Sequence, residues 1–197
     1  FKRNLKTIKQ IKHLILNIKK LTKNNKFPIL IDEEGIRVSR LTEIISHKFT
    51  AQYFGDLYKR NKTFCENIYR HYIYSLSKTL RDLGFNINTI PVLDIKRIFT
   101  NKIIGERSFS NDKKIVRELG KITIQYLHKN KIAGVIKHIP GHGSAKSDSH
   151  KKMPIVRMSI KRLNNFDFQP FKLSKAKFAM TAHILYKEID NKNVATF

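Results

Sequence analysis

A single cysteine, Cys65, among 197 residues excludes an intrachain disulfide and any zinc site built on several thiolates, and it fits a reducing compartment. Acids are scarce as well: 15 Asp and Glu stand against 40 Lys and Arg, leaving a net charge of +25. No apolar run approaches the ~18 residues of a membrane-spanning helix, so no membrane partner is expected. Phe1-Lys2-Arg3-Asn4 lacks the apolar stretch of a secretory leader, although a first residue that is Phe rather than Met leaves a preceding segment open. Repeats and low-complexity blocks are also missing. The 41% hydrophobic content therefore predicts one core, and one domain, over residues 1–197.

So much positive charge raises nucleic acid as a partner, because clustered Lys and Arg displace counterions from phosphate. Here the basic residues are spread along the whole chain and no nucleic-acid motif accompanies them. Lys supplies 29 of the 40 and travels with 27 Ile and 15 Asn, all three favoured by AT-rich codons. Biased base composition accounts for the charge, and no specific nucleic-acid partner is expected.

What is present is an alternation of helical and strand patterns. Leu5, Ile8, Ile11, Leu14, Ile15, Ile18 and Leu21 recur every three or four residues with lysines between them, predicting an amphipathic helix that Asn24-Asn25 ends. Phe27 to Ile31 reads as a short buried strand delivering Asp32, Glu33 and Glu34 at its end. A helix on Ile68, Tyr69, Tyr72, Ile73, Leu76, Leu80 and Leu83 closes at Gly84, and Phe85 to Leu93 reads as a strand finishing at Asp94. Ser110 and Asp112 can cap a helix burying Ile115, Val116, Leu119, Ile122 and Tyr126. Ala133–Ile136 and Phe178–Thr181 complete four strands. Strands separated by helices predict an α/β fold of parallel βαβ units, with functional groups at the carboxyl ends.

One loop concentrates the chemistry. Lys137-His138-Ile139-Pro140-Gly141-His142-Gly143-Ser144-Ala145-Lys146-Ser147-Asp148-Ser149-His150 packs three histidines and an acid beside a histidine into fourteen residues after an apolar strand. Asp148 could orient the His150 imidazole and stabilise its charged form, which makes a proton carrier near neutral pH. His138, His142 and His150 also invite a metal reading. Pro140-Gly141 prevents the helix that would align a pair four apart, so no metal is expected.

This loop resembles the K-H-[F/I]-P-G-H-G-x-x-x-x-D-S-H loop of the bacterial β-N-acetylhexosaminidases of glycoside hydrolase family 3. Four more segments are similar to that family in order: Ile31 to Leu41 to its D-Q-E-G-G-R-V-x-R, Pro91-Val92-Leu93-Asp94 to A-P-V-L-D, Ile104 to Phe109 to I-G-x-R-S-F, and Met180 to His183 to M-T-A-H. The resemblance implies a (β/α)8 barrel. A full one needs ~250 residues, so about four central βα units are expected here. It further implies that His150 is the acid/base and Asp148 its partner, that Asp32, Arg40, Arg107, Lys137 and His138 bind the sugar, and that no cofactor is needed. Asp94 stays outside the implied site, as a cap ordering its loop. Implied too are cytoplasmic recycling of cell-wall fragments and N-acetylglucosamine-containing muropeptides or related glycosides as substrates.

Retention at a glycosidic carbon also needs a nucleophilic carboxylate, usually ~5–5.5 Å from the acid/base group. In the resembling family it is an aspartate in an S-D-D segment on the seventh strand, and no such segment occurs in these 197 residues. Phe1-Lys2-Arg3-Asn4 looks like the end of the second strand, and Val194-Ala195-Thr196-Phe197 like the approach to the seventh. The expectation is a barrel section that another chain completes or that is catalytically inactive and keeps its sugar-binding residues. Two departures bear on the pocket. Ile36 stands where the family has a second glycine, predicting a displaced loop if that position needs positive φ. Glu33 replaces glutamine, and three consecutive acids predict raised carboxyl pKa values.

Overall fold

The computed structural model describes residues 4–98, 102–145, 153–172 and 175–197. Helix α1 (Ile8–Leu21) starts where the Thr7 hydroxyl accepts the Gln10 N–H, and it buries Ile11 and Ile15 on one face. Its lysines point outward, and Lys19 reaches across to cap the Gly84 carbonyl at 3.1 Å. Strand β1 (Leu30–Ile31) follows. Helix α2 (Ala51–Arg60), capped by Thr50, was not foreseen, because only Phe54, Leu57 and Tyr58 mark its apolar side and Gly55 interrupts it. Helix α3 (Lys62–Leu83) is capped by Asn61 and runs as far as the apolar stripe predicts, ending at Gly84 with φ of 103°, where a side chain would be strained.

Strand β2 (Ile87–Asn88) is much shorter than the apolar run around it. Beyond it the chain stays beside its neighbour through a single bridge, Val92 to Lys137, because Pro91 has no N–H to offer a ladder. A short 3-10 turn at Gly105–Arg107 precedes α4 (Lys113–Lys129), whose N-cap is Asp112 as the sequence predicts. Strand β3 (Ala133–Ile139) extends three residues past the expected Ile136 and stops at Pro140. The later elements are β4 (Ile155–Val156), α5 (Ile160–Asn165), α6 (Gln169–Lys172), β5 (Phe178–Thr181) and β6 (Leu185–Tyr186). Only β5 among these was expected, and its bounds agree.

The main sheet has the order β1-β2-β3-β5 with every pair parallel: Leu30 faces Ile87, Ile87 faces Ala133, and Val135 faces Phe178. Strands β4 and β6 form a separate parallel pair. Sequential parallel strands with helices between them are consecutive staves of a (β/α)8 barrel, and all their carboxyl ends open at one mouth. Helices α1, α3 and α4 cover the sheet through Ile11, Ile73, Leu80, Leu119 and Leu127, all essentially without solvent contact. Each such side chain contributes roughly 1.5–3 kcal/mol by leaving water.

Gly55 sets how closely α2 approaches the mouth. A methyl group there would lie 1.6 Å from the Phe109 carbonyl oxygen, a contact that only backbone movement could relieve. Gly55→Ala is expected to destabilise the protein toward the upper end of the ~1–3 kcal/mol typical of overpacking. Urea denaturation measures this, and an unchanged midpoint would show that α2 yields freely.

Candidate active site

Four of the predicted sugar-binding residues form one continuous polar chain. Asp32 follows β1; its Oδ1 accepts the Thr89 hydroxyl at 2.6 Å and its Oδ2 lies 3.2 Å from Arg40 Nη2. Lys137, on β3, donates from Nζ to the same Thr89 oxygen at 2.9 Å, stands 4.0 Å from Asp32, and pairs with Glu34. Glu34 in turn takes a two-pronged contact from Arg107, Nε at 2.7 Å and Nη2 at 2.8 Å. Planar guanidinium against planar carboxylate is the strongest common form of ion pair. Arg107, which composition alone would place on the surface, is 12% exposed.

His138, the fifth, belongs to a second cluster. Its Nδ1 donates to Asp94 Oδ2 at 2.6 Å, which fixes the tautomer; among the described residues its Nε2 has no hydrogen-bond partner and is free for a ligand. Asp94 also accepts the backbone N–H of His142 at 2.6 Å and that of His138 at 3.3 Å. Asp94 thus orders its loop as a cap, as expected, and in addition it is wholly buried and holds the imidazole of His138, one of the predicted sugar-binding residues. The sequence signal was there, an acid ending a buried strand run.

The expectation of raised carboxyl pKa values is also corrected. Burial does push Asp32 upward, but the Thr89 hydrogen bond and the charges of Lys137 and Arg40 outweigh it, so its pKa lies below the usual value. Burial likewise opposes ionisation of Glu34 and is overcome by Arg107 and Lys137, leaving that pKa lowered too. The three acids do not crowd one another because successive side chains of an extended segment point to opposite sides. Glu33 faces away from the mouth, toward Ser39, His47 and the N–H groups of Arg40 and Leu41. Ile36 needs no positive φ: Gly35 alone takes φ of 152°, and Glu34 and Gly35 both donate to the Val38 carbonyl, closing the turn.

His150 and Asp148, the predicted acid/base pair, lie outside the described residues. The segment leading to them is firmly held. Asp167 accepts Arg97 Nη2 at 2.6 Å and the Ser144 hydroxyl at 2.8 Å, while Tyr186 donates to the Gly141 carbonyl at 2.6 Å. Gly143 passes so close to Ile95 that a methyl group would meet its carbonyl oxygen at 1.9 Å. His142 is buried with Nδ1 unpartnered among the described residues, and burial, its largest influence, holds its pKa below the usual value. Among the described residues no three His, Cys, Asp or Glu are grouped to hold a metal. His183 is outside the cluster, bonded through Nδ1 to Thr196 Oγ1 at 2.7 Å.

Charged side chains gathered at the carboxyl ends of parallel barrel strands define the working face of an α/β-barrel enzyme. The sequence matches the Glycosyl hydrolase family 3 N terminal domain over residues 1–196, and the chain belongs to that family, a class of glycoside hydrolases. It is 34% identical over 172 residues to a Beta-hexosaminidase A of Pseudoalteromonas piscicida, covering 84% of this chain and 28% of that one. It is 30% identical to a Beta-hexosaminidase of Xylella fastidiosa strain M23, covering 96% and 56%. The fold superposes with a TM-score of 0.91 on NagZ from Neisseria gonorrhoeae, solved in complex with N-trifluoroacetyl-D-glucosamine, at 29% identity and covering 98% of this chain and 57% of that one. The 197 residues thus span about half the length of these relatives, or less.

Proposed function

We propose that this chain is the sugar-binding and acid/base-bearing section of a retaining β-N-acetylhexosaminidase that releases terminal N-acetylglucosamine from peptidoglycan fragments during cytoplasmic cell-wall recycling. The observation that carries the reading is the joined cluster Asp32, Thr89, Lys137, Glu34 and Arg107, flanked by Arg40 and by His138 with a free Nε2. A pyranose presents hydroxyls that both donate and accept. Asp32 and the bare Nε2 of His138 would take hydrogen bonds from them, while Arg40, Arg107 and Lys137 would supply donors.

In the proposed first step the His150 imidazolium, oriented by Asp148, gives its proton to the glycosidic oxygen as an aspartate carboxylate attacks the anomeric carbon. The aglycone leaves as an alcohol, and a covalent sugar ester remains. In the second step neutral His150 takes a proton from water, whose oxygen attacks the anomeric carbon and frees the carboxylate. The nucleophile is the part these 197 residues do not match, so further chain or a separate polypeptide would supply it. The reading of an inactive fragment shares the sugar cluster and differs only in having no such partner.

Two measurements test the proposal together. The purified 197-residue protein is expected to bind N-acetylglucosamine saturably, yet to release no chromophore from a 4-nitrophenyl N-acetyl-β-glucosaminide. Failure to bind the sugar would remove the sugar-site reading. Clear turnover that disappears in His150→Ala would show instead that the nucleophile lies within these residues.

A further inference from the structure

We propose that Glu33 is a positioning residue for the candidate sugar site: its buried carboxylate, held in place by His47, sets where Arg40 stands beside Asp32. This rests on the sugar-binding reading above and concerns how the same pocket is shaped.

Glu33 is fully buried although it lies between two residues of the pocket. Its backbone is locked to the end of β2, donating to Asn88 Oδ1 at 3.0 Å and accepting Asn88 Nδ2 at 2.9 Å. From that fixed base the carboxylate takes four donors. Oε2 accepts the backbone N–H groups of Arg40 at 2.8 Å and Leu41 at 3.0 Å; Oε1 accepts the Ser39 hydroxyl at 2.5 Å and His47 Nε2 at 2.6 Å. The segment 39–41 is thereby stapled to the end of β1. Arg40 is held at its backbone by Glu33 while its side chain, 41% exposed, reaches Asp32. A long exposed arginine has many conformations, so fixing its root is what brings the guanidinium to the pocket.

His47 keeps the carboxylate aimed. It is 3% exposed, and its second nitrogen, Nδ1, lies 2.9 Å from the Tyr72 hydroxyl on α3. Burial, with Glu33 adding to it, pushes the Tyr72 phenol up to about 12, so the phenol stays protonated. A carboxylate only accepts, so Nε2 must carry a hydrogen. The backbone N–H groups cannot be rearranged, whereas the imidazole can exchange tautomers. A glutamine at this position would keep its carbonyl oxygen on Arg40 and Leu41 and turn its NH2 toward Ser39 and His47. The hydrogen of His47 would then leave Nε2 for Nδ1 and point at the Tyr72 oxygen.

The test is a titration of N-acetyl-D-glucosamine into the 197-residue protein followed by NMR, with nitrogen spectra of the histidines. Glu33→Ala and Arg40→Ala are each expected to weaken binding about tenfold, equivalent to ~1.4 kcal/mol. The double variant should bind no worse than Arg40→Ala alone, because the first residue acts through the second. Glu33→Gln should stay within about threefold of the unaltered protein while His47 shows a bare Nε2. Losses that multiply in the double variant, or a Glu33→Ala protein that binds normally, would overturn the proposal. Should Glu33→Ala not fold, the glutamine variant still decides, since an Nε2 that keeps its hydrogen there would contradict the staple. If the unaltered protein binds no sugar, the sugar-site reading fails and this one with it, an outcome distinct from normal binding with uncoupled variants.

Discussion

Asp94→Ala is expected to destabilise the protein by several kcal/mol, about 1–3 kcal/mol for each buried donor left without its acceptor. Asp94 has no solvent contact, and three donors converge on it: the His138 ring and the backbone N–H groups of His138 and His142. Removing the carboxylate strands all three and frees His138 to rotate, so sugar affinity should fall along with stability. Asp94→Asn should cost less. Its amide oxygen can still accept the His142 N–H, but its NH2 would face His138 Nδ1, driving the ring hydrogen to Nε2. Burial alone would raise the Asp94 carboxyl; the neighbouring His138 and the His142 N–H outweigh it and hold the pKa below the ordinary value. A carboxyl depressed by folding adds stability that is present above its unfolded pKa and is lost as pH falls through the folded one. Urea denaturation at pH 7 and near pH 3 measures both effects: the gap between the unaltered protein and Asp94→Ala should narrow in acid. A gap that does not change with pH would mean that the carboxylate charge contributes nothing.

Helices were the legible part of the fold, because α1, α3 and α4 each bury a stripe with a 3.6-residue period wide enough to stand out among the lysines. Their caps were readable at Asp112 and Gly84 for the same reason, since local hydrogen bonding and positive φ demand particular residues. Helix α2 was hidden: its burial depends on Phe54 and on the absence of a side chain at Gly55, and that close approach is a tertiary fact. Strand extent was the other shortfall. An apolar run such as Phe85 to Leu93 reports burial on both faces but not pairing, and the ladder covers only Ile87–Asn88 before Pro91 breaks it.

The pocket was legible through motifs more than through periodicity. Asp32, Arg40, Arg107 and Lys137 converge as the resemblance implied, while His138 is held by Asp94 in a separate cluster. Missed altogether was the division of labour among the three consecutive acids. Composition suggested a crowded patch of like charge, yet alternation along an extended segment sends Asp32 toward Arg40 and Glu33 toward His47, and two buried cations claim Glu34. Which partner each acid receives depends on residues as far along the chain as Lys137, and no local pattern encodes that.

Glu34 carries the second large expected effect. It lies between Arg107, 12% exposed, and Lys137, 3% exposed, and it is the only acid within direct ion-pair distance of Arg107 among the described residues. Glu34→Ala leaves two cations facing each other in a site with little water, and about 3–5 kcal/mol of destabilisation is expected from the broken buried pair. Asp32→Ala is the informative contrast. Its partner Arg40 is 41% exposed and Asp32 itself 33%, so that pair adds ~1 kcal/mol or less, the Thr89 hydroxyl losing its acceptor adds about as much again, and the total should stay below the Glu34 loss. Sugar affinity should show the opposite ranking of causes: Asp32→Ala loses an acceptor that a hydroxyl would use, whereas Glu34→Ala acts by letting Arg107 and Lys137 move. Because the Glu34 pKa is lowered by folding, its contribution is present above its unfolded value and disappears as pH falls through the folded one. Urea midpoints for the three proteins at neutral and acidic pH, set beside N-acetylglucosamine titrations, separate these roles. Equal stability losses for the two variants would mean that the exposed and buried carboxylates are not electrostatically distinct, and that the Glu34 pair does not anchor the mouth of the barrel.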